Sequence, residues 1–217
     1  MIVVVGHPVV EVQDGIGRPA GRAAVAALTA ARAGAGVQLV GKVGDDPAGD
    51  GLLVALARGG VGHVALLRDP SRSTPQLVHD AGTDDLDFAG EATSLMIEPT
   101  DPARRPALEP ADVELGLRYL GDFRAILVAE PLAPAVLAVA AEAAAYAGAE
   151  LVVVAADTAD ALAGIPPGAL ALAVPPDGSA DGFATLIGEL AAAMDAGATA
   201  VDALAAVTAR MGVTRPD

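Results

Sequence analysis

Ala125-Ile126-Leu127-Val128-Ala129, the alanine-rich run Leu132–Ala147 and Leu151-Val152-Val153-Val154-Ala155 follow one another with short gaps. The two outer runs are continuously apolar and short, as in strands buried on both faces. The middle run has the length of a helix. Working outward, the same alternation recurs. Toward the amino end, Ile2–Val5 reads as a strand and Arg22–Arg32 as a helix closed by Gly34 and Gly36. Val37–Val43 is the next strand, and Pro47 opens a helix to Arg58 that stops at Gly59-Gly60. Val64–Leu67 reads as a third strand. Ala111–Tyr119 is helical, Ala169–Val174 a further strand, and Phe183–Ala196 and Ala200–Met211 are helices. Strands alternating with helices predict one α/β domain over residues 1–217, with a mostly parallel sheet and helices on both faces. The middle breaks the pattern. Gln76–Asp80 and Leu86–Phe88 read as a hairpin around Ala81-Gly82-Thr83, and Pro99 to Pro110 as loop, so residues 71–98 are expected to form a small β flap or lid.

Composition narrows the function. The net charge is −15 and Lys42 is the only lysine. So acidic a surface repels phosphate backbones and anionic lipid, which argues against nucleic acid and membrane partners. An anionic substrate then needs a local positive site. There is no cysteine, which removes disulfides and thiolate metal sites and fits a reducing cytoplasm. No targeting segment is expected, because Met1–Val5 is short and has no basic region. The apolar stretch Ala125–Ala156 is interrupted by Glu130, Pro131, Pro134, Glu142 and Glu150, too often to span a bilayer. The histidines His7, His63 and His79 lack metal-ligand spacing, so no resident metal site is expected.

Chemistry concentrates in Pro175-Pro176-Asp177-Gly178-Ser179-Ala180-Asp181. Prolines end a strand, small residues make a turn, and an amphipathic helix follows. Small side chains let backbone N–H groups converge on a ligand, and the helix start adds partial positive charge. Such a place suits a phosphate or a developing anion, with Asp181 in the first turn as general base toward a hydroxyl. The same pattern also suits a plain capped helix, with Asp177 or Ser179 as the cap. Ala20-Gly21-Arg22-Ala23-Ala24 is a second small-residue helix entry, carrying a cation. It is not a Walker loop, since no Gly-Lys-Ser/Thr follows.

In this order the two segments resemble the ribokinase-like (PfkB) family of sugar and nucleoside kinases. Ala20-Gly21-Arg22-Ala23-Ala24-Val25-Ala26-Ala27 occupies the place of the family's early small-Gly-x-small-x-Asn-x-small signature. Gly34 and Gly44 fall at the expected spacings, and Gly41-Lys42-Val43-Gly44-Asp45-Asp46-Pro47-Ala48-Gly49-Asp50 is similar to the stretch after the second strand. Gly178-Ser179-Ala180-Asp181-Gly182-Phe183 is similar to the family's Gly-Ala-Gly-Asp signature. The resemblance implies a ribokinase-like fold and an ATP- and Mg²⁺-dependent phosphotransferase acting on a hydroxyl of a sugar or similar polyol. It implies Asp181 as the catalytic base and the amides of Gly178, Ser179 and Ala180 as the anion hole. Glu11, Gly21 and Arg22 fall on the substrate side. The Gln76–Phe88 hairpin would be the lid, a segment that in this family also makes a homodimer contact.

This chain departs from the family in three places. Val25 stands where the signature has asparagine, and a valine donates no hydrogen bond. Ala180 replaces the second glycine of the anion hole. About two dozen residues separate the 151–155 strand from Asp177, with no Asn-x-x-Glu metal motif. Asp157 and Asp160 are the nearest acidic pair and read as a solvated helix start. Two functions therefore stay open: an active kinase, or a catalytically deficient kinase-like protein that binds a small ligand or serves a dimer or structural role.

Overall fold

The computed structural model describes residues 1–78, 104–175 and 180–210. β1 (Ile2–Val5) leads into β2 (Val9–Gln13) and β3 (Ile16–Ala20), then α1 (Gly21–Arg32) and β4 (Val37–Gly44). Next come α2 (Pro47–Arg58), β5 (Val61–Gly62), β6 (Leu66–Asp69) and β7 (Gln76–Val78). The second half contributes α3 (Pro110–Arg118), β8 (Ala125–Val128), α4 (Pro134–Ala147) and β9 (Glu150–Ala155). It closes with α5 (Ala159–Ala163), β10 (Leu170–Ala173), α6 (Ala180–Asp195) and α7 (Ala200–Arg210).

The main sheet has the order β10-β9-β8-β1-β4-β5, with β6 also pairing β4, and every pairing in it is parallel. Its central strands are apolar throughout because both faces are covered. Ile2, Val4, Leu127, Val152 and Val154 face a core shared with α1, α2, α6 and α7. Val3, Val5, Ile126, Val128 and Val153 face the other core, under α3 and α4. Each valine or isoleucine removed from water there stabilises the fold by about 1.5–3 kcal/mol. With few aromatics, the first core depends on close approach. Ala23, Ala26, Ala27 and Ala30 of α1 are fully buried, and α6 meets them at Gly188, where a Cβ would lie 2.6 Å from the Ala26 carbonyl oxygen.

The structure bears out the α/β alternation and shifts some boundaries. The expected 64–67 strand is two pieces. Val61 pairs with Val37, the chain turns at 63–65 with Leu66 N–H donating to His63 O, and Leu66 resumes beside Gly41. Val64 thereby points to solvent. The 132–147 helix starts at Pro134, because the residue before a proline is held extended, as Ala133 is at φ −59° and ψ 143°. A small second sheet, β3-β2-β7, stands apart from the main one. Its β2–β3 hairpin went unread in the sequence, although Asp14-Gly15 at φ 52° and 74° is the kind of pair that tight hairpins select. Of the expected lid, Gln76–Val78 joins this sheet beside β2 in parallel, and residues 79–98 lie outside the described residues.

Candidate active site

All strands of the main sheet point the same way, so their carboxyl ends share one edge. The chain steps from β1 to β4 on one side, whereas β8 lies on the other. In open parallel sheets, ligands bind outside the carboxyl ends where the order reverses like this. Gly6-His7 leaves β1 at that point and Ala129-Glu130 leaves β8. The Leu108 N–H donates to His7 Nε2 at 3.2 Å, which fixes that nitrogen as an acceptor. Nδ1 therefore carries the proton and donates to Glu130 Oε1 at 2.7 Å, and the His7 backbone N–H donates to the same oxygen. This pair ties the loop ahead of α3 across the switch point. The sequence reading missed it, because residues 123 positions apart carry no local signal.

The helices α1 and α6 run parallel. Gly188 packs on Ala26 and Thr29, and Asp195 at the end of α6 accepts the Gly36 N–H at 2.9 Å, just past the end of α1. Carried five residues back, the Ala26–Gly188 contact brings Gly21 about level with Phe183, in the first turn of α6. Gly21 has φ +77°, and a Cβ there would meet Val9 Cγ2 at 3.0 Å, so this turn requires glycine. Val9 and Glu11 lie on one face of β2, since alternate residues share a face. That face meets the start of α1, whereas Val10 and Val12 look toward α2 across a groove. Gly21 and Arg22 thus open α1 beside Val9 of β2 and near the amino end of α6, with Glu11 on the same face of β2 as Val9. The α1 start has no side-chain cap and no acid in its first turn. Arg22 Nε is buried without a hydrogen-bond partner. Val25 is half-buried one turn further along α1.

The loop 44–50 is held by a different set of contacts. Asp46 caps α2 by accepting the Gly49 N–H at 2.8 Å, and also accepts the Thr74 N–H and hydroxyl at 2.8 and 2.7 Å. Thr74 Oγ1 in turn accepts the Gly44 N–H at 3.0 Å. Burial pushes the Asp46 carboxyl up, but these bonds outweigh it and hold the pKa below the ordinary value. A Cβ on Gly44 would lie 2.6 Å from both the Arg72 carbonyl oxygen and the Thr74 nitrogen. Lys42, the sole lysine, is engaged with Asp112 at the start of α3 at 2.8 Å.

Gly178 and Ser179 lie outside the described residues; α6 is described from Ala180, so Asp181 stands in its first turn as expected. Thr158 caps α5 with Asp160 in its first turn, so the 157–160 acids sit at a helix start. Among the described residues no group of three or more His, Asp or Glu could hold a metal ion. Arg22, whose buried Nε–H lacks an acceptor among the described residues at the start of α1, is a group that suits the phosphate end of a nucleotide. No helix among the described residues is long and apolar enough to cross a membrane.

Several solved structures share this fold. The crystal structure of Sa239 superposes with a TM-score of 0.61 at 14% identity, covering 100% of this chain and 94% of that one. A 2-dehydro-3-deoxygluconokinase from Thermotoga maritima gives 0.55 at 17% identity, over 74% of this chain and 52% of that one. A Vibrio cholerae fructokinase, solved with fructose, ADP and potassium, gives 0.51 at 23% identity, over 70% and 49%. The chain thus matches about half the length of these two kinases. No curated protein matches the sequence. Residues 4–209 match the pfkB family carbohydrate kinase pattern, nearly the whole chain. With that match over most of its length, on a parallel α/β sheet, the chain belongs to the pfkB family of carbohydrate kinases.

Proposed function

We propose that the protein is an ATP-dependent phosphotransferase acting on a hydroxyl of a sugar or similar small polyol. The observation that supports this reading is the parallel packing of α1 on α6, which starts both helices at the carboxyl edge of the sheet. Asp181 accepts the proton of the attacking hydroxyl. The backbone N–H groups of Gly178, Ser179 and Ala180 hold the phosphoryl oxygens, and Arg22 adds a fixed positive charge beside them. Glu11 accepts hydrogen bonds from substrate hydroxyls, and Gly21 lets the substrate approach the backbone. ATP with Mg²⁺ supplies the transferable phosphoryl group when bound, and Arg22 and the 178–180 amides are the residues that would hold its phosphates. The small sheet of β2, β3 and β7 serves as a lid. Ile16, 59% exposed on it, offers an apolar contact for a second copy.

A second reading keeps ligand binding without transfer. It is favoured by β10, which pairs only with β9 among the described residues and leaves the sheet without further strands before α6. The two readings separate on one set of measurements. Under the first, millimolar ATP with Mg²⁺ raises the melting temperature, and a panel of sugars and nucleosides yields a phosphorylated product. Asp181→Asn then lowers turnover by about 10²–10⁴ while leaving the melting temperature unchanged. Absence of any nucleotide-induced shift would sink the catalytic reading and leave the second.

A further inference from the structure

At the opposite edge of the sheet, the C-terminal halves of α3 and α4 flank a groove of about 680 Å³. Its floor is apolar, formed by Leu117, Leu120 and Phe123, which belong to the core beneath. Tyr146 stands on its rim 95% exposed, and Tyr119, 72% exposed, stands beside it at the end of α3. This chain has only two tyrosines, three phenylalanines and no tryptophan. Both tyrosines and one phenylalanine thus gather at one place, and two of the rings face water. Exposed tyrosines over an apolar floor are the usual anchors of a protein interface.

The charge around the groove is net negative. Glu114 is answered by Arg118 at 2.6 Å. Asp122 and Glu142 also line the groove, and neither has a hydrogen-bond or ion-pair partner among the described residues. The C-terminal ends of both helices add partial negative charge, and the last turn of α4 holds no basic residue to offset it. A second copy of this acidic chain seated symmetrically would bring the same carboxylates face to face. We infer that this groove docks a basic amphipathic segment of a partner protein, with apolar side chains on Leu117, Leu120 and Phe123 and Lys or Arg against Asp122 and Glu142. The site is remote from the α1–α6 corner, so it acts independently of the proposed phosphotransfer.

The chain's own fluorescence reports on this groove, because all its emission comes from Tyr119 and Tyr146. The full chain is titrated with a synthetic helical peptide of about 18 residues, leucines spaced three and four apart between lysines and arginines. A saturable one-to-one change in tyrosine emission is expected. Glu142→Lys weakens the affinity at least about tenfold, whereas Asp157→Lys, the same charge change at the other edge, leaves it within about twofold. A peptide with serine in place of leucine fails to bind. Four results would overturn the proposal. They are no saturable change, equal binding by the serine peptide, equal weakening by the two lysine variants, or a self-associated chain that Tyr146→Ala dissociates in sedimentation.

Discussion

Helices α1 and α2 both begin at the carboxyl edge of the main sheet, each entered through a glycine-bearing turn, and their first turns are built in opposite senses. At α2, Asp46 caps the helix, Pro47 opens it, and Asp50 in the first turn pairs with Arg68. The Asp46 carboxylate accepts from Gly49 and Thr74 and has little left to offer a ligand. At α1, Ala20 provides no side-chain cap, no acid sits in the first turn, and Arg22 adds a positive charge with one buried N–H unanswered among the described residues. A helix start closed by protein groups holds a loop in place. One left open and positive keeps its orphan N–H groups for something that is not protein. The first belongs to the fold and the second to the proposed site.

The largest effect should follow from disturbing the closed end. Gly44→Ala places a methyl against two backbone atoms that cannot move aside. It should lower stability by about 3 kcal/mol, seen in urea unfolding as a lower midpoint at constant slope. Asp46→Ala removes the cap and leaves the Thr74 and Gly49 N–H groups without acceptors. About 2 kcal/mol should be lost, a fall in melting temperature of roughly 4–8 °C. If either variant were as stable as the parent, the assignment of this end to the fold would fail.

The open end should answer differently. Arg22→Gln is expected to leave stability within about 0.5 kcal/mol, since Nε makes no hydrogen bond among the described residues. It should weaken the binding of ATP about tenfold, measured by calorimetry, because a charge-assisted contact to phosphate is lost. A drop in stability like that of Asp46→Ala, with unchanged nucleotide affinity, would erase the contrast between the two helix starts.

Much of the fold was legible because buried parallel strands write themselves as continuous apolar runs. Ile126–Val128 and Val152–Val154 need no partner information to be read. The 63–65 turn was not legible, because Val64 is apolar yet exposed and simulates a strand residue. Of the site, Gly21, Arg22 and Asp181 were visible through turn chemistry and charge at helix starts. The packing of α1 on α6 that relates their helices depends on Gly188 and Asp195, residues without any local motif. The His7–Glu130 bond and the Asp46–Thr74 staple were hidden for the same reason: each joins distant segments, and the sequence carries their chemistry without their proximity.

The smallest effect is one of pH, and it again separates the two helix starts. The Asp46 carboxyl is pushed up by burial but held below its ordinary pKa by the Gly49 and Thr74 bonds. Asp195 behaves likewise, burial being outweighed by the bond from the N-terminal ammonium and the Gly36 N–H. A carboxyl with a lower pKa folded than unfolded binds fewer protons in the folded state, so its contribution is complete at neutral pH. That contribution is lost as the pH falls below the unfolded value of about 3.9 toward the folded one. Stability should therefore decline below about pH 4, and Asp46→Asn should flatten the decline while leaving the part due to Asp195. Arg22 keeps its charge across this range, so Arg22→Gln should leave the slope as it is. A slope that followed Arg22 rather than Asp46 would mean that α1, not α2, is the helix start on which folding depends.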